Sequence, residues 1–178
     1  MGAIVANASQ PALAAIKLAW WRERLEELDA GQVPAEPRLQ AVAAELLPRG
    51  ITGADVARLE EGWAMLLEEE ASFEQSATAR GPLLFNLAAR LIGFEGDYDL
   101  SSAATEFALV DLARRGIART APQRSEVVNR RVPRQLRPVT ALWALARRDQ
   151  RLGGPPFEPE ATPARAWTLL RHRWTGRV

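Results

Sequence analysis

The chain has 178 residues, 47% of them hydrophobic and 25% charged, which suits one domain with a core of its own. It has no cysteine and one histidine, His172, so disulfides, thiolate catalysis, zinc fingers, iron–sulfur clusters and multi-histidine metal sites within a single chain are excluded. The net charge is +1, yet residues 1–111 carry 8 basic and 18 acidic side chains, and residues 112–178 carry 15 and 4.

Apolar residues recur at helical spacing along almost the whole chain, and no segment alternates like a strand. A first helix is predicted from about Gln10 to Ala30, capped by Asn7 or Ser9, with Pro11 in its first turn and Gly31 at its end. Leu13, Ile16, Trp20, Leu25 and Leu28 are its expected apolar set, with Trp21 beside it. A short second helix, Arg38 to Leu47, is stopped by Pro48-Arg49-Gly50. Thr52 and Asp55 form a capping box that opens a third helix running to about Glu70, with Val56, Leu59, Trp63 and Leu66 or Leu67 on one face. A fourth, Phe73 to Ile92, carries Leu83, Leu84, Leu87 and Leu91, and Gly81-Pro82 is expected to kink or split it.

After a loop from Gly93 to Asp99, Ser101 or Ser102 can cap a fifth helix that reaches about Arg115 and ends at Gly116. Thr120 to Pro133 reads as a long loop, and Gln135 to Gln150 as a sixth helix with Leu136, Val139, Leu142, Trp143 and Leu145. Residues 153–162 form a Gly- and Pro-rich linker, and Thr162 caps a last helix, Pro163 to Arg173, with Trp167 and Leu170 inward. The expected architecture is an all-α bundle of six or seven helices in a single domain, 1–178.

The string Ile16-Lys17-Leu18-Ala19-Trp20-Trp21-Arg22-Glu23-Arg24-Leu25, followed by the Pro-rich turn Gln32 to Pro37, resembles the squalene/phytoene synthase family. Ala77 to Leu91 is similar to the family helix that holds a small residue near its middle, and Leu136-Arg137-Pro138-Val139 to Asp149 is similar to the late helix of the shorter, divergent members, which include a mitochondrial complex I assembly factor. The resemblance spans about two-thirds of the chain. It implies an isoprenoid-synthase fold around an apolar cavity. In active members two DxxxD motifs hold Mg²⁺ against a diphosphate, since residues four apart share a helix face and carboxylates bridge the metal to phosphate oxygens.

This chain departs from that pattern. The fifteen residues before Ile16 hold no Asp or Glu, so the fold reads as truncated at the N-terminus. The segment matching the second motif is Ala108-Leu109-Val110-Asp111-Leu112-Ala113-Arg114-Arg115, which puts Arg115 where a metal-binding aspartate is expected. An arginine cannot ligate Mg²⁺. The expectation is a non-catalytic member, without metal or cofactor, that binds a partner protein or an apolar isoprenoid or lipid. The alternative is an active prenyl transferase performing head-to-head condensation with Mg²⁺ on unconventional carboxylates, for which Glu23, Glu27 and Asp111 are the candidates. Trp20, Arg22, Phe85, Phe107, Arg114 and Arg115 are the candidate ligand-binding residues.

Other features have plainer readings. Glu23 and Glu27 fit a solvated face with Arg22 and Arg24, Glu68-Glu69-Glu70 fits solvated surface, and Asp97-Tyr98-Asp99 fits a turn and helix cap. His172 reads as a surface residue; Trp20, Trp63, Trp143 and Trp167 read as core, and Trp21 and Trp174 as exposed. The arginines Arg114, Arg115, Arg119, Arg124, Arg130 and Arg131 suit either an anion or salt bridges to the acidic N-terminal helices, and the basic third as a whole is expected to pack across the acidic two-thirds. A nucleic-acid partner is not expected. The chain reads as cytoplasmic with at most peripheral membrane contact, and a homodimer could cover the groove left by a missing first helix.

Overall fold

A computed structural model describes residues 1–119 and 131–178. Every regular element among them is helical: α1 (Gly2–Ala6), α2 (Pro11–Glu27), α3 (Pro37–Glu45), α4 (Gly53–Ala57), α5 (Leu59–Ala64), α6 (Phe73–Leu91), α7 (Ser101–Arg114), α8 (Arg137–Arg151) and α9 (Pro163–Thr175), with short 3-10 turns between or after several of them. The expected loop from Thr120 falls largely outside the described residues.

Local signals act where the sequence places them. The Thr52 hydroxyl accepts from the Asp55 amide at 2.9 Å while the Asp55 carboxylate accepts from the Thr52 amide at 3.2 Å, a reciprocal cap that starts α4. Gly31 and Gly50 adopt left-handed conformations, φ 77° and 75°, and end the helical turns before them. Thr162 caps α9 as expected, whereas α2 has Gln10 at its N-cap and no side-chain cap from Asn7 or Ser9. At α7 the N-cap is Leu100, without a side-chain cap; Asp99 just before it accepts from the Ser101 amide at 2.8 Å, and Ser101 and Ser102 supply no cap. The predicted third helix is divided at Arg58 into α4 and α5 and ends in a turn at Leu67, short of Glu70. α1 went unrecognised in the sequence.

Of the two outcomes expected at Pro82, a kink or a split, the split does not occur, and α6 runs through it as one helix. Its neighbour explains the preceding glycine. A Cβ on Gly81 would sit 2.5 Å from the Ala104 carbonyl oxygen, so only glycine allows α6 and α7 to approach this closely. Phe85 and Ala89 of α6 then meet Ala103 and Ala104 of α7 and Val139 and Trp143 of α8 in the largest apolar cluster. A second cluster joins Val5, Leu18, Trp63, Leu112 and Ala113, and a third joins Leu25, Leu28, Leu39 and Ala57. Beyond α6 the elements continue as successive neighbours, α7 on α8 and α8 on α9.

Two helix faces differ from expectation. α2 buries Ala14, Leu18 and Leu25 and leaves Leu13, Ile16 and Trp20 exposed, with Trp21 half-buried against the third cluster. α9 buries Arg165 and His172 and turns Trp167, Leu170 and Trp174 outward. His172 is therefore an interior residue, 1% exposed, and Trp20 and Trp167 are surface residues; only Trp63 and Trp143 of the four expected core tryptophans are buried.

Candidate ligand-binding cleft

α7 and α8 each present one helical stripe to a cleft of about 480 Å³. Phe107, Val110, Asp111, Arg114 and Arg115 come from α7, and Leu142, Leu145, Ala146 and Asp149 from α8. The spacing is the one that puts residues on a single face. Arg165 of α9 and Glu160 of the preceding connection complete the lining. One end is apolar, built on Phe107, Val110, Leu142, Leu145 and Ala146; the other holds three arginines and three carboxylates.

Arginines hold the carboxylates at the cleft's base. Asp111 accepts from Arg115 Nε at 2.9 Å and from Arg80 at 3.3 Å. Asp149, with its side chain 1% exposed, accepts from Arg114 at 2.9 Å and from Arg165 at 2.5 Å. Both oxygens of each are committed to guanidinium groups, which satisfies buried charge by charge-assisted hydrogen bonds. Arg80 also donates to the Ala108 carbonyl at 2.7 Å and stacks 4.0 Å over the Trp63 ring. Burial pulls its pKa down to about 10, so it remains charged at neutral pH. Arg114 lies over Phe157 and donates to the Glu158 carbonyl, which fastens the 153–162 connection to the cleft.

Behind the apolar end, Glu106 accepts from Trp143 Nε1 at 2.8 Å and pairs with Arg147 at 3.3 Å, linking α7 to α8 through a buried polar contact. Beyond the cleft, His172 places Nδ1 3.1 Å from the Arg177 carbonyl and Nε2 2.9 Å from the Thr140 hydroxyl. A carbonyl only accepts, so Nδ1 carries a proton, while the Thr140 hydroxyl beside Nε2 also donates to the Leu136 carbonyl at 3.1 Å. Burial is the main reason the His172 pKa falls below its ordinary value.

The cleft gathers four of the sequence candidates, Phe107, Asp111, Arg114 and Arg115. Phe85 lies beneath it, packed on Phe107 with ring centroids 5.5 Å apart and 1% exposed, so it supports the wall without lining it. Trp20 is on the outer face of α2, and Arg22 pairs with Glu60 at 3.8 Å. Glu23 and Glu27 share Arg24 on α2 and do not join Asp111 in the cleft. Among the described residues no group of three acidic or histidine side chains is arranged to hold a metal ion. Sequence reasoning missed Arg80, Asp149 and Arg165, and its partners for the basic third hold only in part. Arg115 reaches Asp111 and Arg147 reaches Glu106 in the acidic part, but Arg114 and Arg165 pair with Asp149, and Arg148 with Glu158, inside that same third.

Comparison with known proteins finds no family model, no curated protein and no solved structure that matches the chain. The resemblance to squalene/phytoene synthases rests on the sequence motifs. The all-α class is established by the fold, and no helix among the described residues is long and apolar enough to cross a membrane.

Proposed function

We propose that the chain is a non-catalytic, squalene/phytoene synthase-like binding protein. Its α7–α8 cleft takes an apolar, isoprenoid-like ligand with a polar end. The observation that carries this reading is the state of Asp111 and Asp149, each bracketed by two arginines. A carboxylate that bridges Mg²⁺ to diphosphate needs free lone pairs facing the metal. Here those lone pairs accept from guanidinium groups, and a dication brought beside Arg114, Arg115 and Arg165 meets like charge. On α7 the side chain four residues after Asp111 is Arg115, and the two close into an ion pair where a metal-binding pair would need two acids.

The apolar end suits a hydrocarbon. Phe107 and Leu145 are half-buried and Leu142 is 45% exposed, so a ligand lying there would remove apolar surface from water. Arg114 and Arg115 would meet a polar or anionic head. Two assays test the reading together. Incubation with farnesyl diphosphate and Mg²⁺ is expected to release no pyrophosphate, and calorimetric titration with farnesol or farnesyl phosphate is expected to show saturable binding that Leu142→Asp weakens at least tenfold. Steady pyrophosphate release, or no saturable binding of either compound, overturns it.

A further inference from the structure

α9 is amphipathic but seated the wrong way round for a core helix. Its inward stripe is Arg165, Thr168, His172 and Thr175, all buried or half-buried; its outward stripe is Trp167, Leu170 and Trp174, which are 59%, 43% and 63% exposed. The inward side is polar because it meets polar partners: Arg165 reaches Asp149, and His172 reaches Thr140. Hydrophobic burial among the described residues therefore does not account for the outward tryptophans. At 3.6 residues per turn, Arg171 and Arg173 flank the ridge on either side. Trp167 and Trp174 meet edge to face, with centroids 6.1 Å apart.

Beside the ridge lies a groove of about 820 Å³ lined by Arg131, Arg134, Arg137, Arg173 and Trp174 with Pro138, Ala141 and Leu169, and no acidic residue among the described ones lines it. Arg137 is occupied with the Val132, Arg173 and Trp174 carbonyls, and Arg131 Nε with the Thr175 carbonyl. Arg134 and Arg173 meet no carboxylate within ion-pair distance among the described residues.

We infer that this face docks on an anionic lipid surface, α9 lying in the headgroup plane with Trp167, Leu170 and Trp174 inserted and Arg134, Arg171 and Arg173 on lipid phosphates. Indole rings favour that depth because one edge is apolar and the other donates a hydrogen bond, and arginine stems reach from an apolar layer to charged headgroups. A second copy is disfavoured by charge, since a two-fold contact through this face sets arginine against arginine. A single-stranded nucleic acid is disfavoured by shape. The two indoles pack edge to face around a leucine rather than offering separate stacking platforms.

The experiment is co-sedimentation of the full chain with vesicles of phosphatidylglycerol and phosphatidylcholine in equal parts, against vesicles of phosphatidylcholine alone, with tryptophan emission recorded. Binding to the anionic vesicles only, a blue shift, and weakening by salt are expected. Arg134→Gln with Arg173→Gln should weaken partitioning on the order of twenty-fold, as each arginine near an anionic surface contributes about fivefold. Trp167→Ser with Trp174→Ser should abolish the blue shift. All four side chains are exposed, and circular dichroism checks that both variants fold. No sedimentation with anionic vesicles, equal binding to neutral ones, insensitivity to the arginine pair, or binding to a single-stranded oligonucleotide without vesicle binding would each overturn the inference.

Discussion

Replacing Asp149 with alanine removes the acceptor shared by Arg114 and Arg165 and leaves two guanidinium groups facing each other. The side chains of Arg165 and Asp149 are 7% and 1% exposed, so water cannot replace the lost partner without opening α9 from α8; Arg114 is 19% exposed and recovers part of its hydration. Removing one member of such a buried set costs roughly 3–5 kcal/mol. For a chain of this length that corresponds to a fall in Tm of roughly 10 °C. Urea unfolding followed by circular dichroism gives the free energy, and comparison with Arg165→Met separates the loss of a partner from the loss of charge burial. Arg165→Met removes one guanidinium and leaves Asp149 with Arg114, so its cost should be clearly smaller. A loss below about 1 kcal/mol for Asp149→Ala, in the range of exposed pairs, would refute the argument that this carboxylate is a buried hub.

Two further outcomes follow from other parts of the fold. Gly81→Ala should destabilise by about 1–3 kcal/mol in the same unfolding assay, because the new methyl meets the rigid Ala104 carbonyl rather than a movable side chain, and a neutral result would mean α6 and α7 are not in close backbone contact. Stability should decline on acidification once pH drops below the ordinary histidine value, as the unfolded chain takes up a proton that buried His172 resists, and should level off below the lowered native pKa. His172→Gln should flatten that part of the profile, and an unchanged slope would exclude His172 as its source.

What could be read in advance depended on the range of the interaction. The Thr52–Asp55 cap and the glycine stops at Gly31 and Gly50 involve neighbours along the chain, and composition alone points to them. The buried face of α2 did not show itself, because Leu13, Ala14, Ile16, Leu18, Trp20 and Leu25 surround the helix and leave no single apolar stripe. The orientation of α9 was misread for the opposite reason: a clear stripe exists, but it faces out. Asp111, Arg114 and Arg115 were legible through the resemblance of the segment Ala108 to Arg115 to a family motif, and Phe107 lies one residue before it. Arg80, Asp149 and Arg165 were not, since a buried charge looks like a surface charge until its partner, 31 residues away for Arg80 and 16 for Arg165, is brought beside it by the fold.

Arg80 touches three helices at once: it grows from α6, stacks on Trp63 of α5, and grips the Ala108 carbonyl and Asp111 of α7. One side of the cleft is thereby bolted to the N-terminal half of the molecule. The other bank is joined differently: α8 shares the main apolar cluster through Val139 and Trp143, whereas α9 meets α8 through the polar pairs Arg165–Asp149 and His172–Thr140. Swapping Arg80 for a shorter residue would therefore slacken the α5–α6–α7 side of the cleft and leave the α8–α9 side as it is.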